Sequence, residues 1–146
     1  MVQNQTSSSS TPAPKTALVT GASGYIGLHV VNILLSEGWT VHGTVRSVRN
    51  ERKVQPLRDV AEKHHAQDRL RLFEADLLIP DSFREAMKGC DVVFHVASPF
   101  LAPEKVKNPQ KQLVEPALEG TRNVLNCVEK TESVKRVVLT SSGWSL

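Results

Sequence analysis

Cysteine, tyrosine and long apolar runs are scarce in this chain, and each scarcity excludes something. Two cysteines among 146 residues, Cys90 and Cys127, are too few for a disulfide scaffold. They also lack the Cys-x-x-Cys spacing of a zinc or redox motif. A reducing setting, the cytoplasm, suits them. No apolar stretch approaches the roughly 18 residues that a membrane span needs, so no membrane partner is expected. Aromatic residues make up only 5%, with no basic stripe interleaved among them, so nucleic acid is not expected as a partner either. The net charge of +3 is too mild to argue otherwise. There is no Gly-x-Ser-x-Gly hydrolase turn, and no P-loop lysine after the glycines. What remains, 40% hydrophobic and 23% charged residues, is the composition of one globular domain.

The first 14 residues, MVQNQTSSSSTPAP, carry no charge and almost no large apolar side chain. Such a segment buries too little surface to offset its chain entropy, so a disordered tail is expected over 1–14 and a folded domain over 15–146. The tail has neither the basic start nor the apolar stretch of a secretory signal. From Lys15 onward strands and helices alternate. Residues 17–20 read as a strand, followed by glycines and a helix with Ile26, Val30, Ile33 and Leu34 on one face, closed by Gly38. Thr40 to Val45 is a second strand. Residues 50–66 form a polar helix presenting Val54, Leu57, Val60 and Ala61, with Pro56 suggesting a late start. Leu70 to Phe73 is a third strand, and a helix capped by Asp81 or Ser82 closes at Gly89. A buried fourth strand spans 91–97. A loop marked by Pro99, Pro103 and Pro109 leads to a long helix over 110–130, bent or started at Pro116. Val137 to Leu139 is the fifth strand. This alternation predicts an α/β fold, a Rossmann-type doubly wound parallel sheet of order 3-2-1-4-5.

The sharpest motif is TGASGYIG, residues 20–27, with glycines at 21, 24 and 27 between a strand and a helix. Gly21 permits the tight turn, Gly24 lets backbone approach a pyrophosphate, and Gly27 lets the helix pack closely on the strand. The helix N-terminus then offers free N–H groups and partial positive charge to phosphates. An NAD site would place Asp or Glu near the end of the second strand, to bind the ribose 2′-hydroxyl. Arg46 stands there instead, followed by Arg49, Arg52 and Lys53. Residues 46–71 hold eight basic and four acidic side chains, a balance exceeding that of the whole chain. A 2′-phosphate needs such donors, so NADP(H) is predicted over NAD(H). Solvated surface accounts for Arg58, Lys63, Arg69 and Arg71. Asp76, after the third strand, is placed either to accept from the adenine amino group or simply to end a strand.

Six segments in order carry a resemblance: VTGASGYIG (19–27), TVRSVRNERKV (44–54), ADL (75–77), GCDVVFHVASPF (89–100), EPALEGTRNVL (115–125) and VKRVVLTSS (134–142). Together they resemble the extended short-chain dehydrogenase/reductase (NAD-dependent epimerase/dehydratase) family, in its dihydroflavonol reductase and cinnamoyl-CoA reductase branch. The resemblance implies that Gly21, Ser23, Gly24, Tyr25, Ile26 and Gly27 line the pyrophosphate. It implies that Arg46 and Lys53 hold the 2′-phosphate and that Asp76 and Leu77 flank the adenine. Val96, Ala97 and Ser98 would border the nicotinamide-side ribose, with Thr140 and Ser141 beside the nicotinamide. Ser142 matches the family's catalytic serine, which hydrogen-bonds the oxygen of a small carbonyl or alcohol substrate.

One departure is large. The family's acid–base centre is a Tyr-x-x-x-Lys some tens of residues beyond that serine, where lysine lowers the pKa of the tyrosine. Only four residues follow Ser142, and the sole tyrosine, Tyr25, lies in the glycine turn. The chain therefore reads as the dinucleotide-binding part of a carbonyl reductase, without the catalytic helix and substrate lobe, and is expected to be inactive alone. A non-catalytic regulatory module that senses the dinucleotide is the rival reading. His64 and His65 read as solvated helix surface, and His95 as a hydrogen-bonded core histidine. No metal is expected. The fifth strand is expected at an open, apolar, aggregation-prone edge.

Overall fold

A computed structural model describes residues 15–99 and 101–142. The tail expected over 1–14 lies outside the described residues. Five strands, β1 (Thr16–Thr20), β2 (Thr40–Val45), β3 (Leu70–Glu74), β4 (Val92–His95) and β5 (Arg136–Leu139), form one sheet of order β3-β2-β1-β4-β5. All four pairings are parallel. The sheet is therefore the predicted Rossmann-type one. Helices α1 (Tyr25–Ser36) and α2 (Glu51–Lys63) join the strands on one side of β1. Helix α3 (Arg84–Met87) lies in the crossover from β3 to β4, on the other side of β1, and α4 (Glu115–Glu129) lies between β4 and β5.

β1 is the hub of the packing, because its alternate residues enter two different cores. Ala17 and Val19 join Val31, Leu34 and Leu35 of α1 and Val54, Leu57 and Ala61 of α2. Leu18 joins Ala86 and Met87 of α3, Val93 of β4, and Val124 and Cys127 of α4. A strand covered on both faces needs a continuous apolar run, and Ala17-Leu18-Val19 supplies it. Each fully buried leucine of this kind, Leu18 or Leu57, stabilises by about 2–3 kcal/mol.

Helix α1 is rotated from its expected setting. Its buried residues are Gly27, Val31, Leu34 and Leu35, whereas Ile26 and Ile33 are 53% and 58% exposed. Gly27 dictates the rotation. A Cβ on it would lie 2.9 Å from Gly21 C and closer still to Gly21 O. The side of the helix carrying Gly27 must face the turn, and positions 31 and 34 follow it at helical spacing. Gly38, at φ +84, ends the helix as expected.

Helix α2 does not start late. It begins at Glu51 and takes Pro56 into its second turn. The missing N–H forfeits one bond to the Arg52 carbonyl, while burial of Val54, Leu57 and Ala61 holds the helix together. It ends at Lys63, so His64 and His65 are not helical. His65 takes a left-handed φ of +48, and half-buried His64 meets Asn32 Oδ1 through Nε2 at 2.9 Å.

Helix α3 is a single turn from Arg84, and neither Asp81 nor Ser82 caps it with a side chain. Asp81, at φ +59, holds Lys130 of the α4 C-terminus at 2.9 Å. The expected long helix opens with a π-helical turn, Gln110–Val114, before α4 takes regular form with Pro116 in its first turn. β5 is an edge strand with three of its four residues exposed, as expected.

Candidate functional site

All five strands deliver a sequence-predicted segment to the same edge of the sheet, the one at their carboxyl ends. In doubly wound sheets this is the edge where ligands bind. β1 leads into the glycine turn. Gly21 adopts φ +65, a conformation that side chains resist. Gly24 N–H donates to Gly21 O at 3.0 Å, which closes the turn. Gly24 is the N-cap of α1, without a side-chain cap and without an acidic residue in the first turn. The N–H groups of Tyr25, Ile26 and Gly27 consequently find no partner among the described residues. Unpaired amides at the positive end of a 12-residue helix are the kind of donors that an anion would meet.

The turn is fastened to β2. Ala22 N–H donates to Thr44 O at 3.0 Å, and Gly43 leaves only enough room for the Ala22 methyl, 3.0 Å from where its own Cβ would stand. Two residues past Thr44, Arg46 is exposed at the strand end. The unpaired amides and Arg46 thus lie on neighbouring strand ends, within reach of one elongated ligand. Arg46, Arg49, Arg52 and Lys53 form no ion pair among the described residues. Arg58 and Arg69 are committed elsewhere. Arg58 pairs with Glu51 at 2.8 Å, and Arg69 donates to the carbonyls of Leu35 and Trp39 at 3.1 and 2.9 Å. Arg69 is therefore a clamp on the α1 C-terminus rather than merely solvated surface.

Asp76 follows β3 on the same edge. Its Oδ1 accepts Leu78 N–H at 2.8 Å, and Ser82 Oγ bridges its backbone, accepting from Asp76 N–H and donating to Asp76 O. Asp76 therefore shapes its own loop. Leu77 is held by Asn123, whose amide donates to Leu77 O at 2.7 Å. Gly120 permits this contact, since a Cβ there would come within 2.9 Å of Leu77 Cβ. Sequence reasoning missed Gly43 and Gly120. Their signal is a glycine inside an otherwise regular strand or helix.

From β4 come Val96, Ala97 and Ser98, and from β5 Thr140, Ser141 and Ser142. Thr140 N–H donates to His95 O at 3.1 Å, so the two strand ends remain together. Thr140, Ser141 and Ser142 are exposed. The sole tyrosine, Tyr25, is 82% exposed and meets His29 edge-on at 4.9 Å. Two depressions of about 430 and 500 Å³ lie elsewhere, one beside α4 and one over α2 and β3.

His95 is the core histidine expected, buried with Nδ1 2.9 Å from Thr20 Oγ1, and burial holds its pKa below the usual value. Burial likewise pushes the Cys90 thiol up to about 12, with Asp91 adding to the effect, and raises Cys127. Neither cysteine is an activated nucleophile. A second buried histidine, His42, escaped notice in the sequence. Its Nδ1 lies 2.6 Å from Ala86 O and ties β2 to α3. No group of three or more His, Cys, Asp or Glu side chains that could hold a metal occurs among the described residues. None of the described helices is long and apolar enough to cross a membrane.

Residues 17–144 match the family model described as NAD dependent epimerase/dehydratase family. The chain belongs to this family. Within it, the chain is 50% identical over 124 residues to cinnamoyl-CoA reductase CAD2 of Medicago truncatula, covering 85% of this chain and 36% of that protein. It is 39% identical over 137 residues to dihydroflavonol 4-reductase of Solanum lycopersicum, covering 94% and 35%. The crystal structure of Gre2 from Candida albicans in complex with NADPH superposes with a TM-score of 0.74 at 33% identity, covering 88% of this chain and 37% of that one. The chain therefore spans about a third of the length of these epimerase/dehydratase-family relatives, and its own resemblance is to the reductase branch named from the motifs.

Proposed function

We propose that this chain is the NADP(H)-binding part of a cytoplasmic oxidoreductase that reduces a small carbonyl substrate, of the dihydroflavonol and cinnamoyl-CoA reductase kind. One observation carries the reading. An uncapped α1 N-terminus and an unpaired Arg46 are held on adjacent strand ends by the Ala22 N–H···Thr44 O bond. Glycines 21 and 27 let the turn close on Ala97 and on α1, and the amides of residues 25–27 remain as donors of the kind a diphosphate needs, so the residues present fit the cofactor. The amides of residues 25–27 neutralise the diphosphate. Ser23 lines it, and Arg46 with Lys53 receives the 2′-phosphate by charge-assisted hydrogen bonds. Asp76 and Leu77 flank the adenine, and Val96, Ala97 and Ser98 border the second ribose. Thr140 and Ser141 lie at the nicotinamide end, and Ser142 donates a hydrogen bond to the substrate oxygen. When bound, the nicotinamide supplies the hydride. Proton delivery needs the Tyr-x-x-x-Lys pair, which is not among these 146 residues. We therefore propose that the chain alone binds without turning over.

A regulatory module that only senses the dinucleotide is the second reading. It is favoured by the same strand-end edge together with the lack of a Tyr-x-x-x-Lys pair among these 146 residues. Reductase assays separate the two when NADPH is paired with a cinnamoyl-CoA or a dihydroflavonol, using the chain alone and the chain joined to a relative's later segment. Turnover in the joined protein supports the enzyme, and its absence in a folded, NADPH-binding joined protein supports the module. The binding claim is tested by titrating the chain and its Arg46→Asp variant with NADPH and NADH. The expected result is an NADPH preference of about tenfold or more, lost in the variant, since a hydrogen-bonded charge contributes roughly 1.5–3 kcal/mol. Equal affinities in both proteins would remove the 2′-phosphate assignment.

A further inference from the structure

The loop between β2 and α2, residues 46–50, carries Arg46 and Arg49 and runs straight into Arg52 and Lys53 in the first turn of α2. None of these four cations forms an ion pair among the described residues, so the loop must be ordered by something else. Within it, Ser47 Oγ accepts Arg49 N–H at 3.3 Å and Ser47 O accepts Asn50 N–H at 3.4 Å. Among the described residues, a single hydrogen bond joins it to another strand. Val48 N–H donates to Glu74 Oε1 at 2.9 Å. Glu74 is the last residue of β3, and in the sheet register it stands beside Val45, the last residue of β2. Its side chain therefore reaches three residues past its register partner. There it fastens the backbone of Val48, whose own side chain is half-buried against the core that holds Ala17 and Val19.

The choice of partner matters. Glu74 forms no ion pair among the described residues, although Arg46 and Arg49 lie on either side of Val48 in sequence. The one acid between residues 46 and 54, Glu51, is taken by Arg58. A carboxylate that accepts from a backbone amide makes a charge-assisted hydrogen bond. It orders the loop while leaving the cations unneutralised, whereas an ion pair would order the loop by consuming one of them. We propose that Glu74 is a positioning residue for the 2′-phosphate: by tying down Val48 it fixes the loop from which Arg46 and Lys53 reach that group, and so sets the preference for NADPH over NADH. This rests on the NADP(H) reading above. Glu74 acts through the loop and does not touch the phosphate. Its negative charge alone would oppose an anion, so anchoring and simple electrostatics carry opposite signs. Loss of an anchor weakens NADPH, and loss of a nearby negative charge tightens it.

The test titrates the 146-residue chain, Glu74→Ala and Glu74→Gln with NADPH and NADH, which differ only in the 2′-phosphate. Glu74 is exposed, so neither variant disturbs the two cores. Glu74→Ala is expected to weaken NADPH about fivefold and NADH less than about twofold. Glu74→Gln keeps an oxygen for Val48 N–H and is expected to bind both cofactors within about twofold of the parent. Hydrogen exchange without ligand should show the Val48 amide faster in Glu74→Ala and parent-like in Glu74→Gln. Unchanged or tighter NADPH binding in Glu74→Ala overturns the proposal. So does equal weakening of both cofactors, or a glutamine variant as weak as the alanine one. A parent that prefers NADPH while Glu74→Ala keeps that preference defeats this proposal alone. A parent with no preference for NADPH defeats the 2′-phosphate reading itself, and the role of Glu74 with it.

Discussion

A single methyl group at residue 27 is enough to separate α1 from the turn that feeds it. Gly27→Ala would push a Cβ into Gly21 O, with backbone on both sides and no flexible side chain to move away. The expected cost is about 3 kcal/mol or more, read as a lower urea midpoint, because overpacking against backbone cannot relax. A midpoint within error of the parent would show that the helix slides freely. At the same scale, Cys90 and Cys127 are free and buried, with raised thiol pKa values. Both should resist Ellman's reagent at pH 8 in the native chain and react once it is unfolded. Rapid native labelling of either would contradict their burial. The places of single residues were legible where the residue type is unusual for its position. Glycine in a strand-to-helix turn and arginine where an acid is expected both announce themselves. His42 was not legible, because a histidine within Thr40–Val45 looks like any polar residue of an alternating strand. Only the neighbouring helix reveals its bond to Ala86 O.

Elements were legible as types and less so as orientations. All five strands are present with helix between them as expected, although α2 starts earlier, α3 is a single turn and Gln110–Val114 is π-helical. The face of α1 is not the expected one, because Ile26 and Ile33 have the hydrophobicity of core residues while Gly27 has the geometry, and geometry prevailed. The end of β4 was hidden for a related reason. Residues 91–97 are apolar throughout, and the Thr20 hydroxyl, 76 residues away in sequence, takes the Val96 N–H and diverts the chain. That diversion carries a pH signature. His95 in the folded state has a pKa held below its usual 6.5 by burial, so the unfolded chain takes up a proton that the folded one refuses. Stability is therefore full above about pH 6.5 and falls as pH drops from there toward the folded-state pKa. Urea midpoints at pH 7.5 and 5.5 should differ more for the parent than for His95→Asn. Equal differences would mean that other groups set the acid sensitivity.

For the molecule as a whole, the open sides of the sheet matter most. Among the described residues β5 leaves one edge unpaired, and Val138 and Leu139 are exposed. Such an edge invites pairing with another chain. The 146-residue chain is expected to self-associate with rising concentration, and Val138→Lys should reduce this in sedimentation experiments. A parent that stays monomeric at high concentration would refute the expectation. The sheet order was legible because strand–helix alternation and right-handed crossovers leave few choices. The substrate is a different matter, since residues shaping its pocket would have to meet Ser142, and nothing in the composition of these strands specifies what they are.

The two cores divided by β1 also impose a timetable. The cluster around Ala17 and Val19 takes most of its members from residues 17–72, so a nascent chain can assemble that half soon after β3 has left the ribosome. The cluster around Leu18 must wait for Val93, Val124 and Cys127, emerging 75 to 109 positions after their partner. During synthesis β1 therefore spends an interval clad on one face and bare on the other, and the second half of the molecule closes upon a scaffold already built.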